Sequence, residues 1–251
     1  MLHRTRLAAP LFAALVFGGT MAHAEPVAKP KAVLELFTSQ GCSSCPAADA
    51  LFVELAKDPG LIALTLPVTY WDYLGWKDTL AQDAFTKRQK LYAKTRGDGQ
   101  IYTPQAVVNG TVHMVGSDKA NLEKAVKDQA GTALPVTVSL DEAAGTLRIQ
   151  LTPAAGGSDK PGGVWVVPIS RLVMVPIERG ENKGRSASYA NVVRGMVRVG
   201  DWAGTQTTVQ APIASTKAEG ADSYVVLVQA DQPSKYGMIP GTILGAALAK
   251  R

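Results

Sequence analysis

Residues 39–49 read SQGCSSCPAAD, and this stretch holds both cysteines of the chain, Cys42 and Cys45. A C-x-x-C unit followed at once by proline and helix-forming residues marks a turn from strand into helix. Pro46 falls in the first helical turn, where a missing N–H does least harm. Upstream, AVLELF (32–37) is an apolar run of strand length, and downstream Ala48, Leu51, Phe52 and Leu55 recur at helical spacing within a helix expected over 45–57. Three chemistries fit the cysteines: a working dithiol, a metal clip and a structural staple.

Elementary geometry separates them. Cα atoms three residues apart at a helix start lie roughly 5–6 Å apart, within the reach of a disulfide. Cys42 sits at the positive end of the helix dipole, which stabilises its thiolate and lowers its pKa. Ser43 and Ser44 read either as hydrogen-bond donors to that thiolate or as plain capping residues. A staple closing so short a loop removes little chain entropy. A closed zinc set needs four ligands, whereas the two thiolates are joined beyond residue 24 by one histidine, His113, which reads as structural. No metal site and no cofactor are therefore assigned.

Composition bounds the setting. With 251 residues and 46% apolar content the chain buries a real core and is long enough for two domains. Its net charge of +5 is spread out, and the densest basic cluster, 183–198, is interrupted by glycine, serine and apolar residues, so no nucleic-acid partner is expected. MLHRTR (1–6), the short apolar stretch LAAPLFAALVFGGTM (7–21) and AHA (22–24) have the grammar of a secretory signal peptide cleaved after Ala24. The mature protein is expected to be exported, periplasmic or secreted, with no membrane insertion once the leader is gone. Thiols pair in such a compartment, and with no other cysteine to build a disulfide framework the pair is left free for chemistry.

The chain from 31 to 130 reads as a βαβαββα series. A strand over 61–71 precedes a helix over 78–94; strands 106–108 and 111–115 flank Asn109-Gly110, the dipeptide of a two-residue type I′ hairpin; and a last helix carries Leu122, Ala125 and Val126. From 135 to 251 the grammar changes to alternating strands: VTVSL, TLRIQL, VWVVPI, RLVMVPI, NVVRGMVRVG, TTVQAPI and SYVVLVQA. That pattern suits an antiparallel β-sandwich. Within it, 154–163 is read as a loop and GTILGAALA (241–249) as a short closing helix. The expected fold class is an α/β domain followed by an all-β sandwich domain.

LELFTSQGCSSCPAAD (34–49), YWDYLGWKD (70–78), TPQAVVNG (103–110) and RGENKGRSASYANVVRG (179–195) resemble a family of exported thioredoxin-like proteins catalogued as a domain of unknown function. The likeness runs from residue 31 to the C-terminus. The resemblance to the thioredoxin-like superfamily implies an exposed nucleophile at Cys42, a buried resolving thiol at Cys45, and a cis peptide between Thr103 and Pro104 opposite the pair. Differences from thioredoxin are visible: Gly41 stands where thioredoxin has tryptophan, Ser43-Ser44 separates the cysteines, and Glu35 is one position from the buried aspartate, which turns it to the other face of its strand.

The expected function is that of an exported thiol–disulfide oxidoreductase, of reductase or isomerase type, acting through Cys42 and Cys45 on thiols or disulfides of other exported proteins. Thr103, Pro104 and Trp71, the last from the aromatic stretch TYWDYLGW (69–76), are the expected substrate-binding residues. In an oxidising compartment turnover needs a membrane electron donor. The alternative is a non-catalytic binding protein, either a Cu(I) or Zn(II) carrier through the dithiol or a β-sandwich adaptor in which Glu178, Arg179, Glu181, Arg185 and Arg194 recognise a partner.

Overall fold

Ala32–Thr38 is buried along its whole length and forms strand β1, the axis of the first half of the chain. The computed structural model describes residues 29–130, 134–158, 160–235 and 237–250; the leader expected over 1–24 lies outside them. After β1 come α1 (Pro46–Leu55), β2 (Leu61–Pro67), α2 (Asp83–Arg96), β3 (Gln105–Val108), β4 (Val112–Val115) and α3 (Lys119–Ala130). β1 runs parallel to β2, with Leu34 opposite Ala63, and antiparallel to β3, with Leu34 opposite Val108. Asn109 and Gly110 turn β3 into β4 at φ 48° and 73°, the positive values the dipeptide was expected to supply. Asn109 also accepts the Val33 amide through its Oδ1, 2.8 Å away.

Alternation along β1 sorts the two faces. Leu34 and Leu36 meet Ala48 and Phe52 of α1 and Leu122 of α3. Val33 and Phe37 point the other way, into a cluster with Phe85 and Tyr92 of α2. Glu35 faces α2 as well, where Arg88 donates to it at 2.7 Å, Tyr92 donates its hydroxyl to it, and Arg88 also donates to Gln229 Oε1 at 3.0 Å. Burial of this ion pair is tolerable because each group finds partners.

The second half supplies β5 (Val136–Ala143), β6 (Thr146–Pro153), β7 (Gly162–Pro176), β8 (Ser186–Val193), β9 (Val197–Trp202), β10 (Thr207–Pro212), β11 (Ser223–Ser234) and β12 (Gly237–Leu248). Here the expected fold class is overturned. The described residues are mostly β, with three α-helices, and one large mixed sheet runs through both halves in the order β12-β11-β7-β8-β2-β1-β3-β4, with β9 also on β7. A thioredoxin-like α/β domain followed by a sandwich of its own is therefore not the architecture. The seam lies between β2 and β8, parallel at Thr65 and Val192 and reinforced by Thr65 Oγ1 to the Ala190 carbonyl (2.6 Å) and Asn191 Nδ2 to the Ala63 carbonyl (2.8 Å).

The reason lies in strand faces. Val167, Ile169, Val225 and Leu227 enter the cluster shared with β1, β2 and α2. Val164, Val166, Val226 and Val228 face the opposite way and pack on Val138, Leu147, Ile149 and Leu151 of the small sheet β10-β6-β5. Strands buried on both faces read as nearly continuous apolar runs, as VWVVPI and SYVVLVQA do. Other boundaries shift too. The strand expected over 61–71 ends at Pro67, VWVVPI and RLVMVPI fuse into β7, and the helix expected over 241–249 is the end of β12, paired to β11 from Val225 opposite Leu248 onward.

Candidate functional site

β1 delivers the chain to a buried turn, Ser39-Gln40-Gly41, that ends in the dithiol at the start of α1. Cys42 and Cys45 are joined as a disulfide with Cα atoms 5.4 Å apart. The backbone winds progressively into the helix: the Cys42 amide donates to the Ser39 carbonyl (3.2 Å), the Cys45 amide to the Cys42 carbonyl (3.2 Å), and the Ala48 and Asp49 amides to the Cys45 carbonyl (2.9 and 3.0 Å). Cys45 is the N-cap and Pro46 follows in the first turn. Both sulfur residues are 0% exposed, so the exposed Cys42 expected from the resemblance is corrected in this oxidised state, while Ser43 and Ser44 face solvent.

The expected substrate-binding residues stand around this turn. Thr103-Pro104 is a cis peptide. The Ser44 hydroxyl lies 3.4 Å from Cys42 Sγ and 3.5 Å from the Thr103 carbonyl, so it bridges pair and loop. Trp71 donates its indole N–H to Thr103 Oγ1 at 2.7 Å. Trp71 also fills the space beside Gly41: a Cβ built there would meet Trp71 Cβ at 3.2 Å. The rest of the aromatic stretch scaffolds the turn. Trp76 donates to Gln40 Oε1 (2.8 Å), and Asp78 accepts the Gln40 amide (2.8 Å) and the Leu80 amide (2.8 Å). Gly116, which donates its amide to the Pro104 carbonyl at 2.9 Å, lets that loop approach α1, since a Cβ on it would press on Leu36, Ala48 and Pro104.

Two residues of this site went unread in the sequence. Asp49, one turn beyond Cys45, is buried and accepts the Thr38 hydroxyl at 2.7 Å. Burial pushes its pKa up to about 8, the Thr38 hydrogen bond opposing and the Asp78 charge adding to the rise. It is a neutral acid at pH 7. Burial also raises Asp78, against the pull of the Gln40 and Leu80 amides. The signal for Asp49 was present: it lies four residues after Cys45, on the helix face that turns inward. The second is Asn182, from the connection between β7 and β8. It is buried and donates Nδ2 to the carbonyls of Gln40 (3.0 Å) and Cys42 (2.9 Å). Nothing in local periodicity points across 140 residues.

Other candidates fall elsewhere. Glu35 belongs to the Arg88 network. His113 sits 2.9 Å from the Tyr102 hydroxyl and 3.0 Å from Asp98, and burial lowers its pKa. Arg194 donates to Ser170 Oγ at 2.7 Å, whereas Glu178, Arg179, Glu181 and Arg185 are exposed. Among the described residues no three Cys, His, Asp or Glu side chains gather in a metal-binding group, and no helix is long and apolar enough to cross a membrane.

The family model described as "Protein of unknown function (DUF1223)" matches residues 33–229. The chain is similar to a protein from Agrobacterium tumefaciens of known crystal structure, with 32% identity, a TM-score of 0.75, and 88% of this chain and 94% of that one covered. It also resembles HBP35 of Porphyromonas gingivalis, at 14% identity and a TM-score of 0.58 over 88% of this chain and 75% of that one, a likeness of fold alone. No curated protein matches.

Proposed function

Because this chain belongs to the DUF1223 family of proteins of unknown function, whose description assigns no reaction, we propose its function from the site: an exported thiol–disulfide oxidoreductase of reductase or isomerase type. The observation that carries the reading is the closed Cys42–Cys45 disulfide at the N-terminal end of α1, with Ser44, Thr103 and Trp71 gathered on it. The CSSCP motif resembles that of the thioredoxin-like superfamily, and it is the dithiol chemistry of that superfamily that is carried over. A purely structural role is the weaker reading: in the chain-entropy model a four-residue loop yields only about 2 kcal/mol, against nearly 5 kcal/mol for a 100-residue loop.

The chemistry runs in two exchanges. In the reduced protein the Cys42 thiolate, stabilised by the helix dipole and the Ser44 hydroxyl, attacks one sulfur of a partner disulfide. A mixed disulfide forms, and the partner's other sulfur leaves as a thiolate that takes up a proton. Cys45, as a thiolate, then attacks Cys42 Sγ, closing the disulfide and releasing the second partner sulfur. The partner gains two electrons and two protons, and the pair loses them. A dithiol donor at the membrane returns the electrons. Thr103, Pro104 and Trp71, gathered beside the disulfide turn, would hold an extended segment of the partner protein.

The test is a Cys45→Ala variant produced with its leader. It is expected to accumulate mixed disulfides with exported proteins through Cys42, which a Cys42→Ala/Cys45→Ala variant does not form. Absence of trapped partners, together with stoichiometric retention of Cu(I) or Zn(II) by the reduced wild type, would replace this function with a carrier.

A further inference from the structure

A sulfur reacts in thiol–disulfide exchange only if an incoming thiolate reaches it along the line of the breaking bond. Here both sulfur residues are 0% exposed, so the disulfide is closed even to small thiols. The second half of the chain reaches this turn through Asn182, which bonds the Cys42 carbonyl. The distal parts of β7 and β8 form a hairpin whose tip, residues 177–185, is internally bonded: the Ile177 amide to the Arg185 carbonyl (2.9 Å), the Gly184 amide to the Ile177 carbonyl (2.8 Å), and the Arg185 amide to the Asn182 carbonyl (3.1 Å). Gly180 and Gly184 adopt φ of 77° and 81°, and Gly180 sits so close to Trp76 that a Cβ would meet Trp76 Cβ at 3.1 Å.

This hairpin packs along α1 through β8 and against Trp76 at Gly180, and is held further at its root and at its tip. At its root Tyr189 and Val192 pack with Leu80 and Val175, next to the seam with β2. At its tip Asn182 holds the carbonyls of Gln40 and Cys42. Between root and tip it is underlain by a cavity of about 200 Å³, bounded by Ser39, Pro46 and Asp49 on one side and Ile177, Asn182 and Tyr189 on the other, with room for several waters. Trp71, which packs against the main core and is bonded to Thr103, stands beside Gly41. Asn182 Oδ1 is buried and has no protein hydrogen-bond partner among the described residues.

We infer that the β7–β8 hairpin tip is a gate over the Cys42–Cys45 disulfide, latched by Asn182, and that exchange with a partner passes through its opening. The inference rests on the redox reading for its purpose, but not for its measurement. The oxidised protein is treated with dithiothreitol and loss of the disulfide is followed over time. Two neutral hydrogen bonds hold the latch, so Asn182→Ala is expected to be reduced at least about tenfold faster than wild type at equal reductant. Lys183→Ala, a change at an exposed neighbour on the same tip, is expected to leave the rate unchanged. Equal rates for Asn182→Ala and wild type, or an equal gain from Lys183→Ala, overturn the gate. Should Asn182→Ala fail to fold, wild-type protein nicked by trypsin within 179–185 replaces it: faster reduction of the nicked chain supports the gate, and an unchanged rate overturns it. Partner capture by Cys45→Ala is a separate readout. A gate without capture removes the redox function alone, and capture without a gate removes the latch alone.

Discussion

At the scale of residues, Asp49 couples the site to pH. Its folded pKa of about 8 lies above the unfolded value, so between the two the native state holds a proton that the unfolded chain releases. Its contribution to stability is full below the unfolded value and is lost as pH rises through about 8, with a limiting slope of about 1.4 kcal/mol per pH unit. Asp49→Asn keeps an acceptor for the Thr38 hydroxyl and removes the proton. Urea midpoints between pH 5 and 8 are expected to fall for wild type and to flatten in the variant, Asp78 leaving a smaller slope of the same sign. A second expectation concerns Trp71 and Thr103, which share one hydrogen bond. Trp71→Phe and Thr103→Val should each cost about 1 kcal/mol by denaturant titration and slow mixed-disulfide formation, and the double variant should cost clearly less than their sum. Fully additive losses would show that the bond does not couple them. The cysteine pair and its helix start were legible because short spacing and turn chemistry are local, whereas the neighbouring Thr103-Pro104 was reached only through the resemblance. Asn182 was not, since its importance exists only once a distant hairpin folds back.

At the scale of elements, α2 is fixed to β1 and β11 by Arg88, which donates to Glu35 and Gln229 together. Removing one partner strands the other charge in the interior. Arg88→Leu is expected to lose about 3–5 kcal/mol, whereas Glu35→Leu/Arg88→Leu, which leaves no orphaned charge, should lose less. Urea denaturation of the three proteins decides it, and a double variant as unstable as the single one would mean that packing, not charge, dominates. The elements most easily read are those with a local signature, such as α1 with its one buried face and the β3–β4 hairpin with its Asn109-Gly110 turn. β12 misled because GTILGAALA combines small and apolar residues that suit either a helix or a tight inter-sheet fit. Tertiary packing decides: a Cβ on Gly245 would collide with the Val136 carbonyl and come within 3.1 Å of Val138 Cγ2, so smallness here admits β5.

At the scale of the whole molecule, the two halves share a core. Val33, Phe37, Leu64 and Phe85 pack in one cluster with Val167, Ile169, Val225 and Ile243. One cooperative unfolding transition is therefore expected, with fluorescence and circular dichroism curves coinciding, and a fragment ending at residue 130 should not fold by itself. Two separated transitions, or a stable fragment, would contradict the shared core. The sequence pattern announced a change of grammar at 135 but not that the later strands would extend the earlier sheet, because pairing partners are set by which faces remain to be covered. The position of the gate along the chain has a consequence for maturation. Asn182 follows Cys42 by 140 residues, so in a polypeptide appearing N-terminus first the cysteines emerge long before the segment that will shield them. On the export proposed above, oxidants of the destination compartment would meet the pair uncovered and make the bond while β7 and β8 are still to come. Under that proposal, newly made protein would enter service already oxidised, and its first encounter would have to be with a reductant.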